Sequence, residues 1–193
     1  MNIQTPELLP APEPERDAPP ACKCLLALLT ATPEWDPELV GALEAAFGSI
    51  DYRSPFVAFS TSADEGYYSA EMGGPLWRGW VSFRGFANPR DLPAWKHRTR
   101  ALEESRRRDA RRTCNLDIGY MDSDKLVLAS FKRGPLKLYL DAGVWGDVIL
   151  GYYQGAFLPV RRTFPDFQDG RYDGFLRVIR EKMKAAMRAE GRG

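Results

Sequence analysis

Polar and apolar side chains alternate along residues 112–118, and this alternation constrains the fold more than any other stretch of the chain. Successive side chains of an extended strand point to opposite faces of a sheet. Thr113, Asn115 and Asp117 therefore share one face, and the residues between them share the other. The pattern predicts a strand with one face in the core and one polar face that can carry a site.

Length, charge and cysteine content narrow the class of protein. A chain of 193 residues with a formal net charge of +1 fits one domain and gives no global reason to bind nucleic acid or membrane. The three cysteines form no CxxC pair, which argues against structural zinc. No signal-peptide layout and no apolar run of the ~18 residues that span a bilayer occurs. We expect a cytoplasmic protein with reduced thiols and no membrane contact.

Composition also divides the chain. Residues 1–20 contain six prolines and an acidic excess, which predicts a disordered tail, with a proline-rich docking segment as the alternative. Residues 21–188 are expected to form a single α+β domain, followed by a flexible C-terminus at residues 189–193.

The first helix has the clearest boundaries. Asp36 is a favourable N-cap, Pro37 suits the first helical position, and Gly48 can end the helix. Leu39 and Leu43 fall on one stripe with Phe47. The continuous apolar run at residues 24–29, ahead of this helix, predicts a strand buried on both faces.

The remaining patterns predict an alternation of strands and helices. Further strands are predicted at residues 50–59 with a break at Pro55, 80–86, 125–131, 136–140 and 144–153, the last three as neighbours in a meander. A second helix begins at Asn88 or Asp91, and a third runs over residues 173–188 with a stripe of Phe175, Ile179, Met183 and Met187.

This order predicts an α+β fold with a ferredoxin-like βαββαβ core and a mainly antiparallel sheet, extended by a C-terminal β-hairpin and helix. The alternative is another antiparallel α+β sheet with helices on one face. One common core is predicted to contain Leu39, Leu43, Phe47, Val81, Phe83, Leu116, Leu126, Leu128, Ile179 and Met183.

Several collinear motifs carry a family resemblance. They are Tyr67, Tyr68, Glu71, Met72 and Gly73; Val81 to Phe83; Lys96, Thr99 and Glu103; Asn115, Leu116, Asp117, Gly119 and Tyr120; Lys125 to Ser130; and Thr163 to Phe167. With these motifs, the chain resembles an uncharacterised bacterial family, domain of unknown function 4416, over about residues 24–188. The resemblance implies kinship and no mechanism.

The chain departs from the family pattern at three positions. Arg100 stands in place of an asparagine, Ile118 in place of a proline and Leu136 in place of a histidine. Because His97 is the only histidine and lies in a basic helix, histidine-based catalysis is not expected.

Familiar catalytic motifs are absent from the sequence, so candidate sites rest on clusters of charge. The ligand-binding candidates are Glu71, Lys96, Asn115, Asp117, Tyr120, Lys125 and Lys132. The alternative for Asn115 and Asp117 is a solvent-facing sheet surface with a turn. The alternative for Glu71 and Asp166 is loop capping or a salt bridge.

A run of arginines is the second candidate. Arg106, Arg107, Arg108, Arg111 and Arg112 can form a phosphate-binding patch. A solvated helix end, with cations that complement the helix dipole, is the alternative.

Three functions are compatible with these residues. The first is a binding module for an anionic ligand, a nucleotide or RNA. The second is a phosphoester hydrolase that uses Mg²⁺ held by Glu71, Asp117 and Asp147, with Lys125 or Lys132 stabilising charge. The third is a scaffold that contacts a protein partner.

The sequence associates residues 67–73 with two of these functions. A protein partner would bind through Tyr67, Tyr68 and Met72. If Asp117 serves a ligand, residues 67–73 should cover its face of the sheet, and a lysine should approach Asp117 or Glu71.

Overall fold

The apolar run at residues 24–29 forms the central strand of the sheet. The computed structural model describes residues 21–59, 68 and 71–191; the predicted tail at residues 1–20, Tyr67 and the last two residues lie outside this range. Strand β1 spans Lys23–Thr30, and every residue before Thr30 is buried. The prediction of a strand buried on both faces is confirmed.

The other elements follow in chain order. The strands are β2 (Ile50–Arg53), β3 (Val57–Phe59), β4 (Leu76–Phe83), β5 (Cys114–Met121), β6 (Lys125–Ser130), β7 (Leu138–Asp141), β8 (Val144–Tyr153) and β9 (Ala156–Pro159). The α-helices are α1 (Pro37–Phe47), α2 (Leu92–Ser105) and α3 (Asp173–Ala189).

Within the described residues, nine strands join one antiparallel sheet. Its order is β2-β4-β1-β5-β6-β8-β7, with β3 also paired to β4 and β9 also paired to β8. The fold is therefore α+β with a mainly antiparallel sheet, as the sequence predicts. Because the sheet has nine strands, the finer prediction of a ferredoxin-like core stays a prediction.

Local capping explains the bounds of α1. Asp36 accepts a hydrogen bond from the Glu38 backbone N–H at 3.0 Å, and Pro37 occupies the first turn. Gly48 follows the helix with a φ of 93°, a conformation that favours glycine. The predicted start and stop of this helix are confirmed.

Apolar side chains pack on both faces of the sheet, so the prediction of one common core is wrong. On the first face, Leu39 and Leu43 of α1 and Leu92 of α2 pack with Leu116. On the second face, Ile179 of α3 packs in a separate group of buried residues, which includes Leu126 and Leu128. The division follows from the period of two along each strand, which sends neighbouring apolar side chains to opposite faces.

Three details of the strands differ from the prediction. β4 spans Leu76–Phe83 rather than residues 80–86, because its pairing with β1 begins at Trp77 and the chain turns at Gly85, where φ is 83°. β6 pairs with β8 rather than with β7. β7 pairs with the other edge of β8, so the spatial order is β6-β8-β7 and the three strands are not a meander. β9 was not predicted.

The helices differ in smaller ways. A short 3₁₀ turn over Pro89–Asp91, capped by Asn88, precedes α2. On α3, Leu176 is fully buried, whereas Phe175 is only half-buried and packs at the margin of the second-face cluster. None of the helices in the described residues is long and apolar enough to cross a membrane.

A polar cleft between two diverging strands as the candidate site

A cleft opens where β5 and β6 diverge. Their pairing runs from Met121 to Gly119, which lies opposite Leu128, although both strands continue beyond this point. The gap leads into a cavity of about 610 Å³, which we call the polar cleft. Its charged lining residues are Glu71, Arg78, Lys96, Arg100, Glu103, Glu104, Arg107, Arg112, Asp117, Lys132, Lys137, Asp147 and Asp166.

Gly119 allows the two strands to approach closely just before they separate. A Cβ atom built on Gly119 would lie 2.1 Å from the backbone oxygen of Val127, a distance that real Cβ atoms do not show. Only glycine fits at this crossing without movement of a backbone.

Side chains from α2 replace the missing strand partner of β5. Lys96 donates from Nζ to the Leu116 carbonyl oxygen at 3.1 Å, and the Leu116 N–H donates to Glu103 Oε1 at 2.5 Å. Buried backbone groups need such partners, since an unsatisfied one costs free energy. Lys96 and Glu103 thus satisfy the backbone groups of Leu116 at the position where β6 no longer pairs.

Asp117 lies between two buried cations. Its Oδ2 accepts a hydrogen bond from Asn115 Nδ2 at 2.7 Å and lies 3.8 Å from Arg78 Nη2. Its Oδ1 lies 3.9 Å from Lys96 Nζ. The last two distances are too long for direct hydrogen bonds, although they allow ion pairing.

Arg78 projects from β4 into a group of aromatic rings. Its guanidinium carbon lies 5.0 Å from the ring centroid of Phe59, 5.4 Å from that of Phe167 and 5.9 Å from that of Tyr172. Asp166 Oδ2 lies 3.2 Å from Arg78 Nη1 and accepts a hydrogen bond from the Tyr172 hydroxyl at 2.9 Å. The rings thus enclose a charged group that is 5% exposed.

The pairing between Arg78 and Asp166 is incomplete. Arg78 Nε and Asp166 Oδ1 are buried and have no hydrogen-bond partner. Burial alone would lower the pKa of Arg78, but Asp166 and then Tyr172 and Asp117 raise it overall, so the guanidinium stays charged. A buried cation with an unpartnered N–H group has capacity for a further acceptor.

Arg112 connects the polar strand face to the wall of the cleft. It donates from Nη2 to Asn115 Oδ1 at 2.5 Å, and its guanidinium lies 3.2 Å from Glu71 and 3.1 Å from Glu103. Burial raises the pKa of Glu103, although Lys96, the Leu116 N–H and Arg112 oppose this shift.

Two phenylalanine rings and a further ion pair complete the cleft. Phe131 is flanked by Arg100, whose guanidinium carbon lies 5.1 Å from the ring centroid, and Phe164 is 41% exposed. Lys137 Nζ pairs with Asp147 at 3.1 Å and lies 5.8 Å from the Phe164 centroid.

The structure brings five of the seven ligand-binding candidates together. Glu71, Lys96, Asn115, Asp117 and Lys132 all line the polar cleft. Tyr120 packs at the margin of the first-face core instead, and Lys125 pairs with Asp122 in the turn after β5, so neither lines the cleft.

Residues 67–73 lie beside this face as far as the structure describes them. Tyr68 and Glu71 line the cleft, and Tyr68 and Met72 pack against Leu29, Phe59 and Leu76.

The predicted magnesium ligands are not gathered into one group. Glu71, Asp117 and Asp147 all line the cleft, but each pairs with a cation of the chain. Glu71 pairs with Arg112, and Asp147 pairs with Lys137. Asp117 pairs with both Arg78 and Lys96. Among the residues that the structure describes, no three His, Cys, Asp or Glu side chains are placed to hold a metal ion. The proposed ligand set is therefore not formed.

Arg78 is the main residue that sequence reasoning missed. Its signal in the sequence was that Arg78 is the one charged residue among residues 76–83. Antiparallel register explains its place, because Arg78 and Asn115 both lie opposite Leu29 of β1 and therefore share a face with Asp117.

The five arginines of the predicted patch differ in their partners. Arg106 pairs with Asp36, Arg107 with Glu104, and Arg112 with both Glu71 and Glu103. Arg108 and Arg111 are exposed and form an isolated β-bridge with each other.

Comparison with known proteins places the chain in a family. No curated protein and no solved structure gave a match. A family model described as "Domain of unknown function (DUF4416)" matches residues 20–183, which is more than half of the chain and includes the whole polar cleft. The chain therefore belongs to the DUF4416 family.

Proposed function

We propose that the polar cleft binds an anionic ligand of nucleotide size. The observation that carries this proposal is the arrangement of Arg78 and Lys96, two buried cations that lie 3.8 and 3.9 Å from Asp117 without hydrogen-bonding to it. An anionic group can accept from both cations while Asp117 remains in place.

The size of the cleft supports a small ligand. Its volume of about 610 Å³ falls within the range of about 300–1,000 Å³ that is common for small-molecule sites. The exposed ring of Phe164 and the partly buried ring of Phe131 offer flat apolar surfaces beside the charges. A nucleobase stacks on such surfaces.

The carboxylates suit the remaining parts of a nucleotide. Asp117 and Asp147 are acceptors that a hydroxyl group can approach, and Asn115 has both donor and acceptor groups. A ligand that contains a phosphate, hydroxyl groups and a flat ring would use all three kinds of lining. A simple anion such as inorganic phosphate would use only the cations.

Thermal unfolding with a panel of nucleoside monophosphates and inorganic phosphate tests the proposal. A ligand at about 100 times its Kd should stabilise the protein by about 2.7 kcal/mol. We expect at least one nucleotide to stabilise the chain more than phosphate does. Asp117→Asn should weaken nucleotide binding about ten- to a hundredfold, because a ligand hydroxyl group loses its charged acceptor.

Asp124→Asn is the matched control. Asp124 is an exposed carboxylate in the turn between β5 and β6 and does not line the cleft, so its substitution should leave binding unchanged. If no nucleotide stabilises the protein, or if Asp117→Asn binds as tightly as the wild type, the proposal is wrong.

We also propose that half of the sheet is a ferredoxin-like unit. The order β2-β4-β1-β5, with α1 after β1 and α2 after β4 and both helices on the first face, supports this idea. An experimental structure in which these elements fail to superpose on a βαββαβ domain would contradict it.

A further inference from the structure

The loop after α2 holds two arginines directly opposite each other. Arg108 and Arg111 pair as an antiparallel bridge through reciprocal backbone hydrogen bonds of 3.1 and 2.8 Å. Asp109 and Ala110 form the turn between them with φ values of 49° and 61°. We call residues 106–112 the arginine turn.

Two features make this turn unfavourable in the free protein. Like charges that face each other across an antiparallel pair repel. A left-handed conformation is also strained for alanine, which lacks the side-chain hydrogen bonding that helps aspartate adopt it. Within the described part of the chain, Arg108 and Arg111 have no carboxylate partner that offsets the repulsion.

The arginine turn is continuous with the polar cleft. Arg107 and Arg112 line the cleft on one side and a wider groove of about 1,100 Å³ on the other. Arg108 and Arg111 line only the groove. Cationic side chains therefore continue from Lys96 in the cleft, across the shared wall, to the exposed bridge.

We propose that the cleft and the arginine turn together bind single-stranded nucleic acid. The inference rests on the proposed function, since one nucleotide would occupy the polar cleft, and it adds that the neighbouring phosphates lie on Arg108 and Arg111. A phosphate on each of these side chains accepts charge-assisted hydrogen bonds and offsets their mutual repulsion.

Acidic residues limit the length of this contact. Glu34 and Glu38 also line the groove, where they repel phosphate, and Asp36 is already paired with Arg106. We therefore expect about two phosphates at the arginine turn rather than a long track.

Fluorescence anisotropy with the full chain tests the inference. The probes are labelled uridylate and thymidylate strands of about ten nucleotides, the best nucleoside monophosphate from the thermal panel, and a polyglutamate peptide of similar length. Arg108→Ala with Arg111→Ala removes the exposed bridge. Arg53→Ala with Arg84→Ala removes the same charge from exposed positions on and near β2, away from the cleft.

We expect the strands to bind more tightly than the mononucleotide, and only the variant of the arginine turn to lose this advantage. Affinity falls as salt rises, and each phosphate contact with a single strand steepens the plot of log affinity against log salt by about 0.7. The variant loses about two such contacts, so its slope should be less steep by about 1.4. A fourfold rise in salt should then weaken wild-type binding about sevenfold more than binding by the variant. Mononucleotide affinity should not change.

Several results would overturn the inference. If the mononucleotide binds but the strands bind no more tightly, only the nucleic-acid inference fails. The same holds if the control variant loses as much affinity as the turn variant, or if polyglutamate binds as well as the strands. If neither mononucleotide nor strand binds, the proposed function fails as well.

Discussion

Asp117 and Arg78 come from strands that do not touch, and their side chains meet across β1. Asp117 and Trp80 both lie opposite Ala27, and Asn115 and Arg78 both lie opposite Leu29. A shift of either strand by one residue would move its polar side chain to the other face. The site therefore depends on the register of β1 with both of its neighbours.

Gly119→Ala should destabilise the protein at the point where β5 and β6 separate. Its new Cβ would meet the Val127 backbone oxygen, so one strand must move, and we expect a cost of about 1–3 kcal/mol. Urea unfolding measures this cost.

Gly41→Ala is the control for that substitution. Gly41 lies within α1, and nothing lies within 4 Å of a Cβ built there. Alanine should stabilise this helix by about 0.5–1 kcal/mol. If both variants proved equally stable, the close approach of the two strands at Gly119 would not limit the residue at this position.

At the scale of elements, α2 both covers the first face and supplies the groups that satisfy the backbone of β5. Leu92 and Trp95 pack in the core, whereas Lys96 and Glu103 bond to the backbone of Leu116. The helix thus gives β5 hydrogen-bond partners where β6 does not. Because Lys96 and Glu103 take the place of β6 as hydrogen-bond partners here, the two strands can separate and leave the cleft between them.

The stability contributed by Glu103 should depend on pH. Because burial raises the pKa of Glu103 above its ordinary value of 4.5, the folded state binds the proton more tightly than the unfolded state. The contribution is then complete below pH 4.5 and is lost as pH rises through the folded-state pKa.

Denaturant unfolding across this pH range measures the effect. The stability of the wild type relative to Glu103→Gln should fall as pH rises above 4.5. A constant difference between the two proteins would show that Glu103 titrates at its ordinary pKa.

At the scale of the whole molecule, β1 contributes to both apolar layers. Leu26 and Leu28 pack on the first face, while Leu25 and Ala27 pack on the second. A central strand shared in this way couples the two layers, since neither can lose β1 without exposing the other.

Leu43→Ala and Leu176→Ala test this coupling from opposite faces. Both side chains are fully buried, so each substitution should cost about 2–5 kcal/mol. Circular dichroism and tryptophan fluorescence should report one shared transition for each variant. Leu138→Ala, at a position 69% exposed, should change stability by less than about 0.5 kcal/mol. Two separate transitions would mean that the faces unfold independently.

The sequence by itself determined the features that arise from neighbouring residues. Asp36, Pro37 and Gly48 set the bounds of α1, because capping and backbone conformation act within one turn. The alternation along β5 likewise determined which of its side chains are polar and share a face. Asn115 and Asp117 could therefore be chosen as site candidates before their positions in space were known.

Only the tertiary structure decided how these elements meet. The pairing of β6 with β8, the divergence of β5 from β6 and the place of Arg78 beside Asp117 depend on contacts between residues far apart in the chain. Local propensity carries no information about which edges pair or where a ladder ends. The sequence thus identified the polar face of β5, and long-range strand pairing made that face one wall of a cleft.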